Sequence, residues 1–185
     1  MQPREQLVKF FKALDRLLQQ QFTMTIIGGS AMVLGYESER MTSDCDPWGK
    51  AQEELLANWS EAQKVSGINL RIDEQTGVAQ FPENFEDRLV EADLSLKKLT
   101  IKYPEKHDLA LSKVVRLLGN DLDDIIWLHK NHKLDFKTFK ARYYEEVRPI
   151  YIGDVSNLDF NFLDAVEELF GLEERQKCEK DSERI

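Results

Sequence analysis

Cysteine is scarce: Cys45 and Cys178 are the only two in 185 residues, far apart and without a CxxC partner. That argues against both a disulfide framework and a structural zinc site, so both are expected as reduced thiols. Long apolar runs are missing as well. The longest, Met24-Thr25-Ile26-Ile27 and Ala31-Met32-Val33-Leu34, fall far short of the roughly 20 residues that span a bilayer, and no membrane segment is expected. The start, Met1-Gln2-Pro3-Arg4-Glu5-Gln6, lacks the basic stretch and apolar core of a secretory leader, which makes the cytoplasm the expected location. Basic residues are the minority, 25 Lys and Arg against 34 Asp and Glu, for a formal charge of −9. Bulk charge therefore disfavours nonspecific nucleic-acid binding and leaves only a local strip for it. No internal repeat is present. What the chain does hold is 42% hydrophobic and 10% aromatic residues, enough to bury a core, and its length suits one domain, or one with a helical appendage.

Leu7, Val8, Phe10, Phe11, Leu14, Leu17 and Leu18 recur every three or four positions, which predicts an amphipathic helix from Arg4 to Gln21. Thr23 to Ile27 is a β-prone run that stops at Gly28-Gly29, and Ser30 sits where an N-cap belongs ahead of Ala31-Met32-Val33-Leu34. Strand, glycine turn and short helix together offer backbone N–H groups to phosphate. Leu55, Leu56, Trp59, Ala62 and Val65 predict a second helix from Lys50 to Val65, with Gly67 as its C-cap. Ile68 to Phe81 reads as one short strand or irregular structure. Residues 88–92 and 99–103 read as an antiparallel strand pair. Helices are expected from Pro104 to Leu118, from Asp121 onward, from Asp135 to Val147 and from Leu158 to Leu172. Residues 173–185 are nearly all polar, either a fraying helix or a disordered tail.

Asp44 and Asp46 flank Cys45 on a segment that Pro47 ends. On an extended chain residues two apart share a face, so both carboxylates project together while Cys45 points inward. Such a pair suits Mg²⁺, a hard cation that takes one or two carboxylates plus phosphate oxygens. An isolated Asp-x-Asp is common in acidic proteins, but this one follows a strand, the Gly28-Gly29-Ser30 turn and a short helix in that order. Backbone N–H groups at Gly28 and Gly29, with the Ser30 hydroxyl, would hold the terminal phosphates of a nucleotide. Asp44 and Asp46 would hold the metal that bridges them.

Gly28-Gly29-Ser30 with Thr42-Ser43-Asp44-Cys45-Asp46 resembles the defining motif of the nucleotidyltransferase superfamily. Phe81-Pro82-Glu83-Asn84-Phe85-Glu86-Asp87-Arg88, Asp108 ahead of Lys113, and Asp121-Leu122-Asp123-Asp124 are similar to its AbiEii-type, toxin-like branch. The resemblance implies an α/β (α+β) fold: a minimal core with a mixed sheet over residues 1–104, a mostly helical part over 105–172 and a polar tail over 173–185. It implies transfer of a nucleoside monophosphate from a nucleoside triphosphate to a hydroxyl of an RNA, a protein or a small molecule, with Mg²⁺ or Mn²⁺ as cofactor. For a toxin it implies a paired antitoxin. It also implies that Lys113 and Asp121 contact the nucleotide, with Lys113 neutralising triphosphate charge, and that Asp124 orients the acceptor, Asp46 or Asp124 serving as base. The wider superfamily carries a third metal-binding carboxylate on a later strand. Here Asp73, Glu91 and Asp93 are the candidates, none of them between apolar neighbours, and the interval from Ser30 to Asp44 exceeds that of the AbiEii motif.

Plainer readings stand beside these. A helical lysine such as Lys113 commonly packs its stem on the core, and acids in a first helical turn, as at Asp121, Asp123 and Asp124, are favoured by the helix dipole alone. His129 and His132 lack a third ligand. Trp48 either stacks on a base or joins the core. Lys130, Lys133, Lys137, Lys140 and Arg142, followed by Tyr143-Tyr144, are either an RNA contact or a solvated helix face. The second functional reading is a noncatalytic member that keeps the fold as a binding module for a macromolecular partner.

Overall fold

The computed structural model describes residues 1–72 and 79–182. These form two compact units, one of residues 1–72 with 88–104, the other of residues 79–87 with 105–182.

In the first unit, Pro3 opens helix α1 (Pro3–Leu17) at a position where its missing N–H is not needed. The Gln2 N–H donates to the Glu5 carboxylate at 3.1 Å. The three-and-four spacing buries Leu7, Phe10, Phe11 and Leu14. Against them lies Trp59 of α3 (Glu53–Ser66), its ring centroid 4.6 Å from that of Phe10, and the Trp59 indole N–H donates to Leu70 O at 2.7 Å. Gly67 ends α3 at φ +69, as its sequence position suggests.

Five strands complete this unit: β1 (Phe22–Ile27), β2 (Asp44–Pro47), β3 (Arg71–Ile72), β4 (Val90–Glu91) and β5 (Leu99–Tyr103). Their order is β3-β2-β1-β5-β4. β1 runs parallel to β5 from Phe22↔Leu99 to Thr25↔Lys102 and antiparallel to β2 at Ile27↔Asp46. β3 joins β2 in parallel at Asp44↔Arg71, and β4 pairs antiparallel with β5. The sheet is mixed and the fold is α+β. Of the expected strand between Ile68 and Phe81, β3 is the described part, and residues 73–78 lie outside the described residues.

Two details differ from the sequence reading. Helix α2 (Gly28–Tyr36) starts at Gly28 itself, so Ser30 is its third residue and not its N-cap. The reason is the left-handed φ of +60 at Gly28, which turns the chain from strand into helix without an intervening linker. The second is Asp15, a buried carboxylate in α1. Its Oδ1 accepts the backbone N–H groups of Lys97, Lys98 and Leu99 at 3.0, 2.7 and 2.9 Å. Burial alone would raise its pKa, but these three donors, with the nearby Lys98 charge, outweigh it and hold the carboxyl below its ordinary range. Lys98 also donates from Nζ to Leu18 O.

The second unit is built from helices. Glu105 caps α4 (Lys106–Arg116) by accepting the His107 N–H at 3.0 Å, and α5 (Asp121–His132) and α6 (Phe136–Arg142) follow. The helix expected to run to Val147 changes to a π-helical turn over Tyr143–Val147. Tyr143 is fully buried there, stacked on Phe162 with centroids 3.7 Å apart, and its hydroxyl donates to Asp159. Arg142 reaches back to Glu105 at 2.6 Å and to the buried Asp108 at 2.9 Å. Arg142 and Tyr143 are thereby withdrawn from the basic strip, which keeps Lys130, Lys133 and Lys137 exposed. α7 (Val155–Phe170) is followed by α8 (Leu172–Ser182). The polar tail is therefore helical up to Ser182, where Arg175 pairs with Asp164 and Glu167 of α7 at 2.7 and 2.8 Å. Among the described residues no helix is long and apolar enough to cross a membrane.

Candidate functional site

The antiparallel register that sets Ile27 opposite Asp46 brings the glycine turn and the second carboxylate together. A Cβ built on Gly28 would meet Asp46 Oδ2 at 2.6 Å, closer than real side chains approach. Gly28 is thus favoured by its positive φ, and a side chain there would also force the Asp46 carboxylate to shift. Gly29 faces Thr42, whose hydroxyl would lie 3.5 Å from an added Cβ and donates to Asp44 O at 3.0 Å. The loop before β2 is thereby folded onto the start of α2.

Along β2 the side chains alternate, Asp44 and Asp46 half-buried and Cys45 fully buried, so the carboxylates share a face. Burial pushes the Cys45 thiol up, and the Asp46 charge adds to that, keeping it protonated. Both oxygens of Asp44 are engaged. Oδ1 pairs with Arg71 Nη2 at 2.8 Å and Oδ2 accepts the Ser43 hydroxyl at 3.2 Å. Ser30 is fully buried and donates its hydroxyl to Ile27 O at 2.9 Å, which pins the first turn of α2.

The other expected residues meet in the second unit. Lys113, 5% exposed, lies 2.6 Å from Asp124 Oδ2 and 3.3 Å from Asp121 Oδ1. Asp121 also accepts two bonds from Arg116 at 2.8 Å and the Leu118 N–H at 3.0 Å. Burial raises the Asp121 pKa, but the Arg116 bonds, the Lys113 charge and the Leu118 N–H prevail and lower it. Two cations and two carboxylates thus close the corner where α4 ends and α5 begins.

Compared with known proteins, residues 5–168 match the family described as "Nucleotidyltransferase of unknown function (DUF6036)". The chain belongs to this nucleotidyltransferase family. No curated protein and no solved structure matches it. The family supports the superfamily that the Gly28-Gly29-Ser30 and Asp44-x-Asp46 motifs resemble, and it does not single out the AbiEii-type branch.

For a nucleotidyltransferase the metal question turns on the third carboxylate. The sheet order puts Glu91 on β4, with β5 and β1 between it and β2, and Asp93 just past β4. Asp73 lies outside the described residues. Among the described residues no group of three or more His, Cys, Asp or Glu side chains is placed to hold a metal. Two carboxylates fit a cation whose remaining ligands are phosphate oxygens and water. His129 packs edge-on against Phe170, centroids 5.0 Å apart, and burial lowers its pKa. Trp48 is half-buried, its backbone N–H donating to Thr25 O at 2.8 Å.

Sequence reasoning missed Arg71 and Arg116. Nothing near Arg71 in sequence marks it, because its partner Asp44 is reached only through the β2–β3 register. Arg116 had a signal: it stands one helical turn after Lys113 and five residues before Asp121.

Proposed function

We propose that this chain is a Mg²⁺- or Mn²⁺-dependent nucleotidyltransferase that moves a nucleoside monophosphate from a nucleoside triphosphate to a hydroxyl acceptor on an RNA, a protein or a small molecule. The observation that carries the reading is the approach of the Asp46 carboxylate to the Gly28 backbone, which sets a cation ligand beside the backbone N–H groups of a helix start. Asp44 and Asp46 hold the metal. Gly28, Gly29 and the first turn of α2 hold the phosphates through their N–H groups, while the buried Ser30 hydroxyl keeps that turn in shape. The cation, when bound, neutralises charge on the phosphates. The resemblance assigns Lys113 and Asp121 to the nucleotide and Asp124 to the acceptor, and it alone supports a toxin role with an antitoxin partner; the cytoplasmic setting rests on the sequence of residues 1–6.

A second reading, a binding module without catalysis, is favoured by the lack of a third metal ligand among the described residues and by the neutralisation of Lys113 within its own cluster.

Thermal melting with each of the four ribonucleoside triphosphates, with and without Mg²⁺, separates the two. A nucleotide at a hundred times its dissociation constant adds about 2.7 kcal/mol. The shift is expected to require metal and to vanish in an Asp44→Ala/Asp46→Ala variant, and wild type is expected to transfer labelled nucleotide to an acceptor. No shift with any nucleotide, and no transfer, would overturn the enzymatic reading.

A further inference from the structure

The structure assembles one basic surface that no stretch of sequence contains. Lys12 and Arg16, one turn apart on α1, stand beside Lys97 and Lys98 ahead of β5. Together with Ser95 and Leu96 they line an open hollow of about 570 Å³. Lys12, Arg16 and Lys97 are exposed. The one carboxylate in the lining, Asp15, is buried, and its Oδ1 accepts the backbone N–H groups of Lys97, Lys98 and Leu99. It fixes the cationic loop to α1 and offsets one of the four positive charges, which leaves the lining net positive. A second hollow of about 170 Å³ continues past Lys97 and Lys98 to Gln21, Thr23 and Thr100. On the other side the surface changes sign, since Glu91 and Asp93 line the next hollow beyond Ser95 and Leu96. The result is a bounded positive track on a chain of formal charge −9.

We propose that this track holds the phosphodiester backbone of a nucleic acid. Its chemistry selects that partner over others. A protein partner would be anchored by exposed aromatic or large apolar side chains at the centre of the contact, and an anionic membrane by an apolar wedge beside the cations. The track offers neither, with only the half-buried Leu96 among its cations. It also presents no exposed aromatic for base stacking, so recognition is of phosphates and not of sequence. The track lies where β1 and β5 begin, whereas the Gly28 turn lies where β1 ends. The six residues of β1 put roughly 17 Å of strand between them. The track is thus a separate surface from the proposed nucleotide turn, and it does not depend on the reading of that turn.

The test is fluorescence anisotropy of a labelled single-stranded RNA 20-mer with the full chain, titrated at several salt concentrations. Wild type is expected to bind with a slope of log affinity against log salt of about −2 to −3, as three or four phosphate contacts require. A Lys12→Glu/Arg16→Glu/Lys97→Glu variant, with melting checked against wild type, is expected to bind at least about tenfold more weakly with a nearly flat slope. A Lys130→Glu/Lys133→Glu/Lys137→Glu variant is expected to keep the wild-type affinity. Equal binding by wild type and the α1-loop variant, or loss in the second variant instead, would overturn the proposal. So would tripolyphosphate displacing the RNA at equal phosphate concentration, which would assign the track to a small polyphosphate.

Discussion

Asp46 and Gly28 are fitted to each other: the carboxylate oxygen occupies the space in which any other residue at position 28 would carry its Cβ. Gly28→Ala is therefore expected to destabilise the chain by about 1–2 kcal/mol through the left-handed φ alone, and by more as Asp46 is pushed away. Urea unfolding measures the first effect. The metal-dependent nucleotide shift should be lost even at temperatures where the variant remains folded.

Arg71 pairs with Asp44 in the exposed part of the site, where an ion pair contributes less than about 1 kcal/mol to stability. Arg71→Gln is expected to leave the melting temperature nearly unchanged while strengthening Mn²⁺ binding up to about fivefold, because a competing cation has been removed from Asp44. Mn²⁺ titration followed by electron paramagnetic resonance reads this directly. Weaker Mn²⁺ binding would mean that Arg71 orients Asp44 for the metal.

Lys113 is buried between two carboxylates, and removing one partner of such a cluster leaves the others uncompensated. Lys113→Met is expected to cost about 3 kcal/mol in urea unfolding. A double-mutant cycle with Asp124→Asn should return a coupling energy of about 1–3 kcal/mol. A cost below about 1 kcal/mol would show that the cluster does not hold α4 to α5.

Two carboxyls tie stability to acid. Burial raises the Glu105 pKa, but the His107 hydrogen bond and charge, with Arg142, bring it down to about 2, and Asp15 is lowered by its three N–H donors. Both pKa values are lower folded than unfolded, so both groups stabilise the fold fully above their unfolded pKa values, near pH 4. That stabilisation is lost as pH falls through the folded values, a window from about pH 4 to 2 for Glu105. Asp15→Asn should weaken the fold at pH 7 by on the order of 2 kcal/mol and flatten its pH dependence below pH 4. Urea midpoints at pH 7, 4 and 3 check both.

The elements with strong periodicity were legible in the sequence. α1, α3, α4 and α5 form where the apolar spacing puts them, although α1 ends at Leu17, four residues before the expected Gln21, and the β1–glycine–α2 junction follows from Gly28-Gly29. The structure groups Lys113 with Asp121 and Asp124 as a neutralised ion-pair cluster. What stayed hidden depends on tertiary pairing. Arg71 reaches Asp44 only through strand register. The break at Tyr143 arises because a buried ring stacks on Phe162 of a later helix, which no local spacing reports. Lys12 and Lys97 become neighbours only because Asp15 fastens the loop before β5.

Residues 79–87 belong to the helical unit although residues on both sides of them in sequence belong to the sheet unit. Within the helical unit Phe81 stacks on Phe85 at 4.3 Å and the Glu83 N–H bonds to Glu146 O at 3.0 Å. A cut after Pro104 would therefore take this segment away from the helices it completes and break the Glu83–Glu146 backbone bond. The inheritance of the two units is consequently joint: no single genetic crossover can exchange one of them whole, because each is built from two separate stretches of the chain.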